Sequence, residues 1–217
     1  MPSRFFPETM NPLDDSHPRP SSQAPSPSGP TLFLANEEAT ADAGRALAQA
    51  LECEAEGSVG GSKAPFERAL MIGLRGSLGA GKTTLVRSLL RGLGVAGSVR
   101  SPTYTLAEPY ETRIGSVWHL DLYRMADAEE LEYIGIRDLI ASSTLCLIEW
   151  PDREPGERLV FDLLVDIEIP AESEDGDRAE GQEGQASRRL SFAPGSETGR
   201  GLLVRLERCL PESLRPR

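Results

Sequence analysis

Short apolar runs alternate along the chain with segments whose apolar residues recur every three or four positions. The run ALMIGL (Ala69–Leu74) closes on a Gly-rich turn, the pattern of a buried parallel strand. After it, TTLVRSLLRGL sets Leu85, Leu89 and Leu93 on one stripe and predicts a helix, with Gly92 and Gly94 as stops. Two more strands are expected at Val117–Asp121 (VWHLD) and Thr144–Glu149 (TLCLIE), each apolar until its final acid, with an acidic helix start at Asp127–Tyr133 between them. Upstream, the apolar run Thr31–Leu34 leads to Asn36, a cap for a helix carrying Ala39, Ala43, Leu47 and Leu51 at four-residue spacing. Downstream, RLVFDLLVDIEI alternates and predicts a half-exposed strand over Arg158–Ile169, able to pair antiparallel with Arg189–Phe192. Leu202, Leu203, Leu206 and Leu210 suggest a closing amphipathic helix. Strands and helices alternate, which implies an α/β fold: a largely parallel sheet flanked by helices, with an antiparallel edge.

Composition sets the limits of this unit. Residues 1–30 hold 8 of the 17 prolines and 6 serines, and so read as a disordered tail; one domain over 31–217 is expected to follow. Glu52–Pro65, with EGSVGGSK, reads as a flexible connection, and Ala171–Ala186, with six acids and one Arg, as a solvated acidic loop. The formal net charge of −11 argues against a protein that coats DNA, RNA or an anionic membrane, although the last segment from Ser187 has seven Arg against three Glu. Cys53, Cys146 and Cys209 form no metal-ligand spacing and no even set for disulfides. No apolar run approaches the roughly 18 residues of a membrane span, so a cytoplasmic protein is expected.

The sharpest chemistry lies in Gly76-Ser77-Leu78-Gly79-Ala80-Gly81-Lys82-Thr83, which fits G-x-x-x-x-G-K-[ST] between a strand and a helix. Such a loop turns its backbone N–H groups toward phosphate oxygens, with the positive end of the helix behind them. Lys82 would reach the β- and γ-phosphates and Thr83 would ligate Mg²⁺. The chain has only two lysines, Lys63 and Lys82, so the N-K-x-D signature that reads guanine is absent and ATP becomes the expected nucleotide. A P-loop NTPase also needs an acid at a strand end. Glu149 and Asp121 both qualify. Trp150, next to Glu149, has two equal readings, a stack on a base or a cap on the core, whereas His119 reads as an ordinary strand position.

Five blocks together, GSLGAGKTTLVRSLLRGLG, SPTYTLAEPY (Ser101–Tyr110), HLDLYR (His119–Arg124), ADAEELEYIGIRD (Ala126–Asp138) and LIEWPDR (Leu147–Arg153), resemble the TsaE family of bacterial P-loop ATPases. The resemblance implies a protein needed for threonylcarbamoyl-adenosine (t6A) in tRNA. By position it implies Gly76 and Leu78 to Thr84 (Leu78, Gly79, Ala80, Gly81, Lys82, Thr83, Thr84) as the ATP loop. Thr83 and Glu149 would be the magnesium positions, with Lys82, Glu149 and Asp121 as the catalytic groups. Glu37, Thr103 in a switch-like Ser-Pro-Thr loop, Asp121 and Trp150 would lie near the nucleotide, joined by a late arginine, Arg188 or Arg189. It further implies that transfer of the threonylcarbamoyl group is performed by TsaD with TsaB. This chain would act on that pair as an ATP-driven switch and reach tRNA indirectly. A small-molecule kinase or a non-hydrolysing nucleotide sensor are the alternatives.

Overall fold

Each apolar run that the pattern marks as a parallel strand lies in the middle of one seven-stranded sheet. The computed structural model describes residues 29–57, 68–125, 128–154, 159–170 and 186–215. In chain order these form β1 (Thr31–Leu34), α1 (Glu37–Gly57), β2 (Leu70–Arg75), α2 (Lys82–Gly92), β3 (Ala107–Thr112) and β4 (Gly115–Asp121). They continue with α3 (Ala128–Tyr133), α4 (Ile136–Ser142), β5 (Leu145–Glu149), β6 (Leu163–Glu168), β7 (Arg188–Pro194) and α5 (Glu197–Cys209).

The strand order is β1-β7-β6-β2-β5-β4-β3. The pairings among the four central strands, β6-β2-β5-β4, are parallel; β7 pairs antiparallel with β6, β1 antiparallel with β7, and β3 antiparallel with β4. The sheet is therefore mixed, with a parallel core and an antiparallel addition at both edges. The expected β6–β7 pairing is present, with Val165 opposite Phe192. The second antiparallel edge was not expected, because in β3 (AEPYET) the proline and two acids mask the strand pattern. As the outermost strand, β3 tolerates Pro109.

Alternation along the central strands sends residues to two cores. Leu70, Ile72, Leu74, Val117, Leu145 and Leu147 join α1, α2 and α5 in the larger one. Met71, Leu120, Cys146 and Ile148 join α3 and α4 on the opposite face. Asn36 caps α1 as expected, its side chain accepting the Ala39 N–H at 2.9 Å. Two expectations shift at the edges of the insertions. Residues 52–57 are helical, the last turn of α1 being held by ion pairs from Arg113 to Glu52 (2.6 Å) and from Arg205 to Glu54 (2.5 Å). Gly29, placed in the tail by composition, donates to the Phe192 carbonyl at 3.0 Å. The rest of the tail (1–28), residues 58–65 of the connection and residues 171–185 of the acidic loop lie outside the described residues.

Packing of α1 on α2 fixes where the start of α2 sits. At Gly44 the two helices come so close that a Cβ would lie 2.6 Å from the Leu85 carbonyl oxygen and 2.9 Å from the Ser88 Cβ. In an open helix Gly→Ala gains about 1 kcal/mol. Here the added methyl meets backbone, and overpacking costs about 1–3 kcal/mol. Gly44→Ala is expected to lower the urea midpoint of unfolding, and an unchanged or higher midpoint would show that the helices can part freely.

Candidate functional site

The loop between β2 and α2 leaves the sheet at the carboxyl end of a central strand, the usual crevice for ligands in an open α/β sheet. Gly76 opens it with φ at 141°, and a Cβ there would lie 2.3 Å from the Ile167 carbonyl oxygen. Only glycine fits both constraints. Leu78 and Gly79 form the tip, Leu78 being largely exposed, while Ala80 is fully buried and Gly81 caps α2. Lys82, the first residue of α2, turns back into the loop. Its ammonium donates to the carbonyls of Gly76 (2.8 Å) and Ser77 (2.9 Å) and lies 3.7 Å above the ring of Trp150.

Thr83 points to the neighbouring strand. Its hydroxyl lies 2.9 and 3.0 Å from the two carboxylate oxygens of Glu149, the last residue of β5. The backbone at the end of β5 is tied on both sides, since Leu122 N–H donates to the Glu149 carbonyl and Trp150 N–H to the Leu74 carbonyl, both at 3.0 Å. Glu149 and Asp121 are direct partners in the β4–β5 register, so both expected acids end adjacent parallel strands side by side. They play different parts. Asp121 is buried and accepts the hydroxyls of Ser101 and of Thr103 (2.9 Å), with the Tyr123 N–H on its other oxygen at 3.0 Å. It therefore holds the Ser101-Pro102-Thr103 loop, whereas Glu149 holds the start of α2.

The remaining expected residues gather around this centre. The Thr84 hydroxyl donates to the Glu37 carboxylate at 3.3 Å. Beside that contact a groove of about 530 Å³ runs between α1 and α2, lined by Glu37, Arg45, Thr84, Arg87 and Arg91 among others. Of the two late arginines, only Arg188 meets the loop, its Nε donating to the Ala80 carbonyl at 2.9 Å. Arg189 pairs with Glu168 on the surface. Trp150 carries the Lys82 ammonium on its face and packs against Tyr123 at 4.9 Å between ring centroids. Its neighbours also include the core under α3 and α4, which agrees with the capping reading.

Sequence reasoning missed His119. Its ring is fully buried and Nε2 lies 2.9 Å from Glu149 Oε1. The two-residue step to Asp121 already puts both on one face of β4. What is missing from the sequence is the register that brings Glu149 beside them.

Electrostatics at the centre follow from burial. Removal from water pushes the Lys82 amine down to about 8, against the opposing attraction of Glu149 and Asp121. The folded chain thus binds this proton less tightly than the unfolded chain, whose lysine keeps the usual 10.5. Between those two values the unfolded state carries more protons, so stability rises with pH. Relative to Lys82→Met, the wild-type protein is expected to gain up to about 3 kcal/mol between pH 8 and 10.5, with no change in the difference below pH 7. Urea unfolding of both proteins across this range measures it, and a flat difference would contradict the desolvated amine.

Comparison with known proteins places the chain in a family. The family model described as "Threonylcarbamoyl adenosine biosynthesis protein TsaE" matches residues 34–179, more than half of the chain. The tRNA threonylcarbamoyladenosine biosynthesis protein TsaE of Haemophilus influenzae is 51% identical over 102 residues, covering 47% of this chain and 65% of that protein. Its counterpart in Treponema pallidum is 34% identical over 87 residues, with 40% and 62% covered, so the chain spans slightly less than two thirds of both relatives. The Aquifex aeolicus protein of the same name is 36% identical over 142 residues, 64% of this chain and 86% of its own length. The crystal structure of Bacillus subtilis YdiB superposes with a TM-score of 0.59 at 21% identity, covering 83% of this chain and 95% of that one, a likeness of fold. On the strength of the family match and of these relatives, the chain belongs to the TsaE family.

Proposed function

We propose that this chain binds ATP with Mg²⁺ at the β2–α2 loop, hydrolyses it slowly, and serves t6A modification of tRNA as a switch. The observation that supports it most directly is the junction of Lys82, Thr83 and Glu149 at the carboxyl ends of adjacent parallel strands. In this reading the loop N–H groups from Leu78 to Thr83 and the first turn of α2 receive the phosphates. Lys82 exchanges the carbonyls of Gly76 and Ser77 for phosphate oxygens, and its partial desolvation strengthens that attraction. Glu37, Thr84 and the adjoining groove face the nucleoside, while Arg188 braces Ala80 near the phosphates.

The donors suit magnesium. Thr83 and Glu149 offer hard oxygens within one contact of each other. Among the described residues no group of three or more His, Cys, Asp or Glu side chains could hold an ion alone. These two would therefore share the metal with phosphate oxygens and water, as Mg²⁺ sites commonly do. When bound, the ion neutralises phosphate charge during transfer. Glu149 orients the attacking water. Asp121 links this chemistry to the Ser101–Thr103 loop, since Thr103 can give its hydroxyl to Asp121 or to a phosphate.

Membership of the TsaE family supports a reading in which the partners are the t6A-forming proteins. The threonylcarbamoyl transfer belongs to TsaD with TsaB, and this chain binds the pair and resets it between turnovers in the cytoplasm. Contact with tRNA is indirect, consistent with a net charge of −11. No helix among the described residues is long and apolar enough to cross a membrane.

Two substitutions test the site. Lys82→Ala is expected to lower ATP turnover by at least about 100-fold and to abolish t6A support in cells; normal tRNA modification by that variant would contradict the reading. Glu149→Gln is expected to keep metal-free ATP affinity within about 3-fold while Mg²⁺-dependent phosphate release falls about 100-fold. A nucleotide-binding assay run beside a phosphate-release assay separates the two effects.

A further inference from the structure

We infer that His119 is the positioning residue of Glu149: from inside the sheet it fixes the carboxylate that, on the nucleotide reading above, shares the metal with Thr83. The ring has no exposure, and its flanking positions on this face of β4 are Val117, also fully buried, and Asp121. Its Nε2 lies 2.9 Å from Glu149 Oε1. An ionised carboxylate only accepts, so Nε2 carries the hydrogen, and in a neutral ring Nδ1 is then the acceptor. That Nδ1 is buried and has no hydrogen-bond partner among the described residues. An apolar residue would fill the same space with no polar atom left unmatched, so packing alone does not account for an imidazole here.

The contact instead divides the work of the two carboxylate oxygens. Oε1 receives both the His119 N–H and the Thr83 hydroxyl, while Oε2 is met by Thr83 alone among the described residues. Oε2 thus keeps acceptor capacity for an ion or a bound water, and Oε1 is the anchor. Without His119 the carboxylate is held, among the described residues, only by the Thr83 hydroxyl, which on the reading above would itself be shared with the metal. Groups that orient a metal ligand in this way typically change metal affinity 10–100-fold when removed.

The test compares His119→Leu, which fills the space without a donor, with His119→Gln, whose amide N–H can reach Glu149. A fluorescent ATP analogue titrated in EDTA reads nucleotide binding alone, and paramagnetic resonance of Mn²⁺ added to the nucleotide-loaded protein reads metal binding. For His119→Leu, nucleotide affinity in EDTA is expected to stay within about 2-fold while Mn²⁺ affinity falls about 10–100-fold; His119→Gln recovers most of it. Wild-type Mn²⁺ affinity in His119→Leu, or equal losses in EDTA and in Mn²⁺, would overturn the inference. If His119→Leu does not fold, the same difference is read between His119→Gln and His119→Asn, whose amide is too short to reach Glu149. A wild-type protein that binds nucleotide without any metal response overturns the inference and the metal site together, whereas wild-type metal binding with no effect of His119 overturns the inference alone.

Discussion

The contact between the Thr83 hydroxyl and the Glu149 carboxylate joins the first turn of α2 to the end of β5, and the site is organised around it. It requires two parallel strands side by side, ending level, with a helix beginning at the same height. The parallel β2–β5 pairing supplies the first condition, with Leu74 opposite Glu149. The second comes from the loop, which must turn within a few residues; Gly76 allows this where any side chain would strike Ile167. The third comes from α1, pressed against α2 at Gly44, which holds the helix at its level. Core packing and site geometry are thus one constraint met in three places.

Around that contact the charges are placed against the hydrophobic effect. Lys82, His119, Asp121 and Glu149 are all buried at the strand ends, in a fold that elsewhere buries mainly leucine, isoleucine, valine and alanine. Buried charges destabilise unless each finds a partner. Here the ammonium sits on two carbonyls and an indole face, one carboxylate on a threonine and a histidine, the other on two hydroxyls and an N–H. These partners are exchangeable, because carbonyl and hydroxyl contacts are of a kind that phosphate oxygens and a hydrated ion can replace. Apart from His119 Nδ1, the buried polar groups of the site are thus matched by contacts that can be exchanged.

Much of this was legible in the sequence. The loop motif, the parallel core strands, the cap at Asn36 and the two strand-end acids follow from local patterns: apolar runs, glycine spacing and an acid after the last apolar position. Register was not legible, because pairing between Asp121 and Glu149 depends on strands 28 residues apart along the chain. For that reason His119 looked like an ordinary strand position, and the choice between Arg188 and Arg189 stayed open until β7 was placed against β1 and β6. Strand β3 was hidden for a different cause: as an edge strand it has no need of the apolar alternation that reveals inner strands. The helical ending of α1 was obscured by the glycines that follow residue 56 in the sequence, while the ion pairs that distant arginines make with Glu52 and Glu54 have no local signature.

The central claim is that Lys82, Thr83 and Glu149 form one nucleotide and metal site. Crystals grown with a non-hydrolysable ATP analogue and Mn²⁺, with diffraction measured at a wavelength that reveals manganese, address it directly. The account predicts one manganese peak beside Thr83 Oγ1 and Glu149, with the Lys82 ammonium moved from the Gly76 and Ser77 carbonyls to phosphate oxygens. An analogue bound elsewhere, with Lys82 still on those carbonyls and no manganese between Thr83 and Glu149, would contradict it.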